Sequence, residues 1–266
     1  MPLAVADHSD PSSPTLLLQG VGRRFGALSA LKDLSLELLA GERRAIIGTN
    51  GAGKTTLFNT ITGDFFPTSG KIFLSGIDIT KLPPQQRIAL GLRRTYQTPL
   101  LLNDLSVADN LYIAVKGVRS GHLKLWRGRD YAKDLDQVEA LAEKVGVQAL
   151  LSQKAREVSH GQRRLVEIAM ALVGEPRVLM LDEPAAGLSH GERAELLNLL
   201  LGLPSELTVM LIEHDMELAL RFAQRVSVLH YGKLICEGTP EFVAADKQVH
   251  DLYMGTLNVY SSTLSI

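Results

Sequence analysis

Eight residues, GTNGAGKT from Gly48 to Thr55, restrict what this chain can fold into more than any other stretch. They match the spacing G-x-x-x-x-G-K-[ST], follow a short apolar run (Ala45, Ile46, Ile47) and precede a helix-forming segment, Lys54–Thr62. A buried strand, a glycine loop and a helix in that order converge main-chain N–H groups on the positive end of a helix, which cradles phosphate. A Cβ at Gly51 or Gly53 is expected to obstruct this close, partly left-handed path. In such a cradle Gly48, Thr49, Asn50, Gly51, Ala52 and Gly53 form the loop. Lys54 reaches the β- and γ-phosphates, the Thr55 hydroxyl ligates Mg2+, and Thr56 completes the first helical turn. A plain Gly-rich turn is the competing reading, and the agreement of both flanks disfavours it. The loop specifies a triphosphate and leaves its use open.

The bulk properties exclude several classes. With 266 residues, 45% hydrophobic and 21% charged, the chain can bury a core of one large or two small domains. A net charge of −1 gives no basic field for nucleic acid, so none is expected as a partner. The lone Cys236 forms no internal disulfide and points to a reducing compartment, with a reactive thiol as the alternative reading. Residues 1–14 lack the basic start and apolar run of a secretory signal and are expected to be a flexible leader. The best apolar run, Leu196 to Leu203, is too short to cross a bilayer, so any membrane contact must come through another chain.

Along the chain, LLLQGV and LSLELL (Leu34–Leu39) are expected strands, with Phe25 in a turn between them. TSGKIFLSG is a hairpin or edge strand, and Pro83 and Pro84 open a short helix. Phe25 has two readings: an aromatic that stacks on adenine, or ordinary packing. Between about residues 98 and 160 strand-like runs give way to helical spacing at Ser106–Val115 and Asp130–Val145, which predicts a helical subdomain inserted into an α/β core. Its stretch GVRSGHLKLWRGRD, holding Trp126, is a linker, a partner contact, or a basic surface for lipid headgroups or nucleic acid. Beyond it VLML and LTVMLI are strands, ELLNLLLGL is a helix, and RVSVLHYGKLICEG is a hairpin turning at Gly232. The alternation predicts a mainly parallel sheet with helices on its faces.

Three further sites carry chemistry. VLMLDEP ends an apolar strand in two acids, Asp182 to hold Mg2+ and Glu183 to polarise the water that attacks the γ-phosphate. A solvated acidic turn is the alternative. His214 closes the strand LTVMLI, where parallel-sheet enzymes expose their ligand sites. It touches the γ-phosphate or orients the water, unless it is satisfied locally. Gln97, in RRTYQTP, is an Mg2+ or water sensor or plain polar surface. In VSHGQRR, Ser159 and the Gly161 amide start a helix and make either an N-cap or a second anion site, which has a use when two chains meet head to tail.

Together these residues resemble the ATP-binding-cassette (ABC) ATPases, over about Leu16 to Gly255. Phe25 matches the adenine-stacking aromatic, GTNGAGKT the phosphate loop, and Gln97 the Q-loop. VSHGQ matches the signature, VLMLDE the acidic strand, AAGLS the D-loop and His214 the switch histidine. The resemblance implies a P-loop NTPase core of α/β class, with a mainly parallel sheet, an antiparallel β edge and an inserted helical subdomain. It places the nucleotide-binding domain at residues 15–255, with a tail at 256–266. It also implies ATP and Mg2+ as cofactors, with Thr55, Gln97 and Asp182 at the metal. Glu183, His214 and Gln97 are then catalytic, and Ser159, Gly161 and Gln162 cap the nucleotide of a second ABC subunit. TLFNTITGDFFPTSGKI, LIEHDMELAL and EGTPEFV are similar to the ATP-binding subunits of branched-chain amino acid importers. That likeness implies permease subunits, an external solute-binding protein reached through them, and a peripheral place on the cytoplasmic face of the plasma membrane. The alternative is an ABC system for urea or amides, aromatic acids or lipid export. Long coiled coils, zinc modules and a second cassette, marks of the repair and translation relatives, are missing from the sequence. His160 departs from the first signature glycine, Ser189 from the D-loop aspartate and Thr49 from a common proline.

Overall fold

A computed structural model describes residues 13–96, 100–120 and 131–253. The chain opens with β1 (Leu16–Phe25) and β2 (Leu28–Leu38), then passes through β3 (Arg43–Ile47) into α1 (Lys54–Thr62). Strands β4 (Ser69–Leu74) and β5 (Ile77–Asp78), helix α2 (Pro84–Ala89) and strand β6 (Leu92–Arg94) follow. Three longer helices come next: α3 (Val107–Ser120), α4 (Tyr131–Val145) and α5 (His160–Leu172). Alternation resumes with β7 (Val178–Asp182), α6 (His190–Leu201), β8 (Thr208–Ile212) and α7 (Met216–Phe222). Strands β9 (Arg225–His230) and β10 (Lys233–Gly238) and helices α8 (Pro240–Ala245) and α9 (Lys247–Leu252) complete the described elements. Gln97, Trp126, residues 1–12 of the expected leader and the expected tail lie outside the described residues.

Six strands form one sheet in the order β10-β9-β3-β8-β7-β6, parallel throughout except for β10 against β9. The expected antiparallel edge is therefore β10 together with a separate sheet of order β2-β1-β4-β5. The central strands β3, β7 and β8 are buried on both faces, which is why Ala45–Ile47, Val178–Leu181 and Val209–Ile212 read as short apolar runs. Ala45, Ile47, Leu179, Leu181, Val209 and Leu211 enter one core with the buried sides of α3 to α7. Their neighbours Ile46, Val178, Met180, Met210 and Ile212 enter a second core with Leu57, Phe58 and Ile61 of α1 and the inner side chains of the antiparallel sheet. Each large side chain so buried contributes roughly 1.5–3 kcal/mol relative to exposure. Helix α1, and the loop that starts it, is thereby wedged between two sheets.

Two hairpins bear on the loop. Phe25 is the last residue of β1 rather than a turn residue; the strand continues because Phe25 still pairs with Leu28, leaving Gly26 and Ala27 as the turn. Between β9 and β10 the turn is Tyr231–Gly232, with φ of 45° and 78°, a pair of left-handed residues that suits a two-residue hairpin. The Gly232 N–H donates to Ala52 O (2.8 Å) and its carbonyl accepts from Lys32 N–H (2.8 Å), so this turn is tied to both the loop and β2. Among the described residues no helix is long and apolar enough to cross a membrane.

Candidate active site

The loop 48–53 leaves the carboxyl end of β3 and turns into α1 through two left-handed glycines, Gly51 (φ 77°) and Gly53 (φ 107°). A Cβ on Gly53 would lie 2.7 Å from Ala30 O, so the main chain itself leaves no room for one. At Gly51 no protein atom lies within 4 Å of such a Cβ, and the positive φ itself favours glycine there. Gly48, by contrast, is packed against the Leu229 carbonyl and has no room for a side chain. No side chain caps α1, so its first-turn amides, which have no intrahelical acceptor, are presented with the loop.

Lys54 is buried beneath the loop, its Nζ donating to Gly48 O (2.7 Å) and Thr49 O (3.3 Å). Burial lowers its pKa, opposed by the nearby carboxylates of Glu183, Asp182 and Glu213. Thr55 is exposed and Thr56 half-buried on the same turn. Strand β8 lies between β3 and β7, so the acids of β7 approach the loop across it. Asp182 is buried, and its Oδ1 has no hydrogen-bond partner among the described residues. Burial, and then the charge of Glu183, raise its pKa, while Arg94, Arg164 and Lys54 act the other way. An ionisable oxygen left unsatisfied beside a phosphate loop fits a metal ion or its bound water.

Glu183 departs from the strand with φ 45°, a left-handed conformation that costs a non-glycine residue roughly 1–2 kcal/mol, while its N–H donates to Ile212 O (2.8 Å). This backbone turn sends the two adjacent acids in different directions. The Glu183 carboxylate lies 3.6 Å from Nδ1 of His214, which sits exposed on the loop after β8. The two expected catalytic groups are therefore side by side, although they are 31 residues apart by number.

Sequence reasoning missed Glu213. It is fully buried, accepting the Ala185 N–H (2.9 Å) on one oxygen and the His214 N–H (3.1 Å) on the other. Burial pushes its pKa up against these hydrogen bonds. It thus joins the turn after Glu183 to the loop bearing His214. A signal was present: an acid where an apolar strand ends, the pattern that singled out Asp182 and Glu183.

Phe25 is partly exposed beside Arg23, whose guanidinium lies 4.5 Å above the ring, and Phe65, which meets it edge-on at 5.2 Å. Ser159 is the N-cap of α5: its Oγ accepts from Gln162 N–H (3.2 Å), and the Gln162 side chain accepts the Ser159 N–H (2.9 Å). His160, where the resemblance has glycine, places Nε2 3.2 Å from Ala186 O in the D-loop.

The family model described as "ABC transporter" matches residues 31–186. LivG of Escherichia coli K12, a high-affinity branched-chain amino acid transport ATP-binding protein, is 38% identical over 92% of this chain and 99% of its own. The chain belongs to the ABC transporter family. BraF of Pseudomonas aeruginosa, with the same printed description, is 35% identical over the same shares. Among solved structures, the ADP conformation of MJ1267, an ATP-binding cassette of an ABC transporter, superposes with TM-score 0.81 at 29% identity, covering 92% of this chain and all of that one. The cassette binds ATP and is an ATPase. ABC cassettes pair with one another and work with transmembrane permease subunits.

Proposed function

We propose that this cassette is the ATP-hydrolysing subunit of an importer for branched-chain or related hydrophobic amino acids. In this reading it binds peripherally to permease subunits on the cytoplasmic face of the plasma membrane and is served by an external solute-binding protein. The observation that carries the reading is the end-to-end identity with LivG, which extends beyond the motifs common to all cassettes.

Lys54 exchanges its contacts with the Gly48 and Thr49 carbonyls for the β- and γ-phosphates, aided by the first-turn amides of α1. Phe25 offers its exposed ring to the adenine. Thr55, Asp182 and Gln97 would hold Mg2+, which supplies charge neutralisation to the phosphate oxygens. Glu183 takes the proton of the attacking water as its oxygen bonds to the γ-phosphorus and the bond to the β-phosphate oxygen breaks, leaving ADP and phosphate. His214, 3.6 Å from that carboxylate, orients water and γ-phosphate. Ser159, Gly161 and Gln162 cap the nucleotide held by a second cassette, so binding closes the pair and hydrolysis reopens it.

Glu183→Gln tests the chemistry. Turnover is expected to fall about 10²- to 10⁴-fold with ATP binding retained and a closed dimer trapped; wild-type turnover removes Glu183 from the general-base role. The substrate is tested on the assembled transporter in proteoliposomes, where binding protein loaded with leucine, isoleucine or valine should stimulate ATP hydrolysis. Stimulation only by an unrelated solute sinks the amino acid assignment.

A further inference from the structure

The signature's anion site already holds an anion from its own chain. Glu192, half-buried in the first turn of α6, has one carboxylate oxygen 3.3 Å from Gly161 N and 3.3 Å from Ser159 Oγ, accepting from both. Its other oxygen accepts from the Ser189 N–H (2.9 Å) and hydroxyl (2.8 Å), the N-cap of α6. One carboxylate thus bridges the starts of two helices. The geometry is close: a Cβ on Gly161 would lie 2.5 Å from that same Glu192 oxygen. Hydrogen bonds from the Ser189 main chain and side chain, then from Gly161 and Ser159, hold the carboxyl below the usual range, so it is an anion at neutral pH. Ser189 is the D-loop position where the resemblance has aspartate. The Ser189 hydroxyl donates to Glu192, a bond that an aspartate carboxylate could not supply.

Ser159 Oγ and the Gly161 N–H are the donors that the proposed dimer offers to the nucleotide of the opposite subunit, and an N–H directed at one anion cannot serve another equally. We propose that Glu192 is the resting occupant of the signature's anion site, and that the phosphate of the ATP held by a second subunit must displace it before the dimer closes. This rests on the dimeric reading above. Displacement leaves the bonds to Ser189 in place, so α6 keeps its cap while the freed oxygen turns to solvent. The resting contact reduces the fraction of subunits competent to close, and weakens apparent nucleotide-driven pairing by that fraction.

The test uses the full chain carrying Glu183→Gln, with dimer mass followed by light scattering as Mg-ATP is added. Glu192→Gln keeps the capping box but removes the charge, and Glu192→Asp keeps the charge but shortens the reach. Each is expected to lower the half-saturating ATP concentration for dimer formation, by roughly fivefold. An unchanged or higher concentration in both overturns the proposal. If the Glu183→Gln parent forms no ATP-dependent dimer, the dimeric reading fails instead.

Discussion

Arg87 gives the sharpest test of how the phosphate-loop helix is held. Its side chain is fully buried at the end of α1, with Nη1 donating to Thr60 O (2.8 Å) and Ile61 O (2.7 Å). Nε donates to Leu82 O (2.8 Å) and Nη2 to Thr80 O (3.2 Å). Two of these acceptors belong to the last turn of α1, whose carbonyls have no intrahelical donor and whose partial negative charge favours a cation. Burial pulls the pKa down to about 10, against the charge of Asp64, which leaves the guanidinium charged at neutral pH. Arg87→Met keeps an unbranched apolar stem and removes all four bonds. Orphaned buried carbonyls cost about 1–3 kcal/mol each, a gross loss of roughly 4–8 kcal/mol once the partly exposed ones are discounted. Relief from burying the charge offsets part of this, leaving about 3–5 kcal/mol. With a urea slope of about 3 kcal/mol/M, the unfolding midpoint should fall by about 1–1.7 M. Arg87→Lys, with one compact ammonium, should recover less than half of that loss. A loss under about 1 kcal/mol in the methionine variant would refute the assignment, because other donors would then be satisfying α1.

Two other outcomes follow from the site. Gly53→Ala forces a Cβ to within 2.7 Å of Ala30 O at φ 107°; we expect a stability loss of about 2–4 kcal/mol and weaker ATP binding, measured by thermal unfolding and nucleotide titration. Wild-type behaviour in both would show that the loop tolerates another path. Glu213→Ala leaves the Ala185 and His214 amides without their acceptor, so stability should drop by about 2 kcal/mol net of the carboxylate's burial cost, with slower hydrolysis at unchanged ATP affinity. Lost ATP affinity with normal turnover would place Glu213 elsewhere in the mechanism.

The elements nearest the chemistry were legible because they are the most buried. Strands covered on both faces carry apolar runs, so Ala45–Ile47 of β3, β7 and β8 stood out although Arg43 and Arg44 open β3, and α1 spans the expected Lys54–Thr62. The turn at Gly232 was equally plain, since its geometry demands glycine. Strand β6 has only three residues, two of them arginines, and α7, α8 and α9 are two turns or less, too short for a helical period to register. Phe25 was misplaced because β1 carries polar and glycine residues up to its end. The capping boxes at Ser159–Gln162 and Ser189–Glu192 were written in the chain as S-x-x-[EQ]. That Glu192 also reaches across to Gly161 was not, since that depends on how α5 and α6 pack.

The order β3-β8-β7 sets the scale of the catalytic cleft. Neighbouring strands lie about 4.8 Å apart, so the lysine-bearing loop and the acidic strand end are separated by roughly 10 Å, with the histidine's strand at the midpoint. That interval is fixed by main-chain pairing, not by any catalytic side chain. Point changes at the rim can therefore alter which atoms are offered to the triphosphate while leaving the width of the gap untouched, and the sheet serves as the ruler against which the substrate is measured.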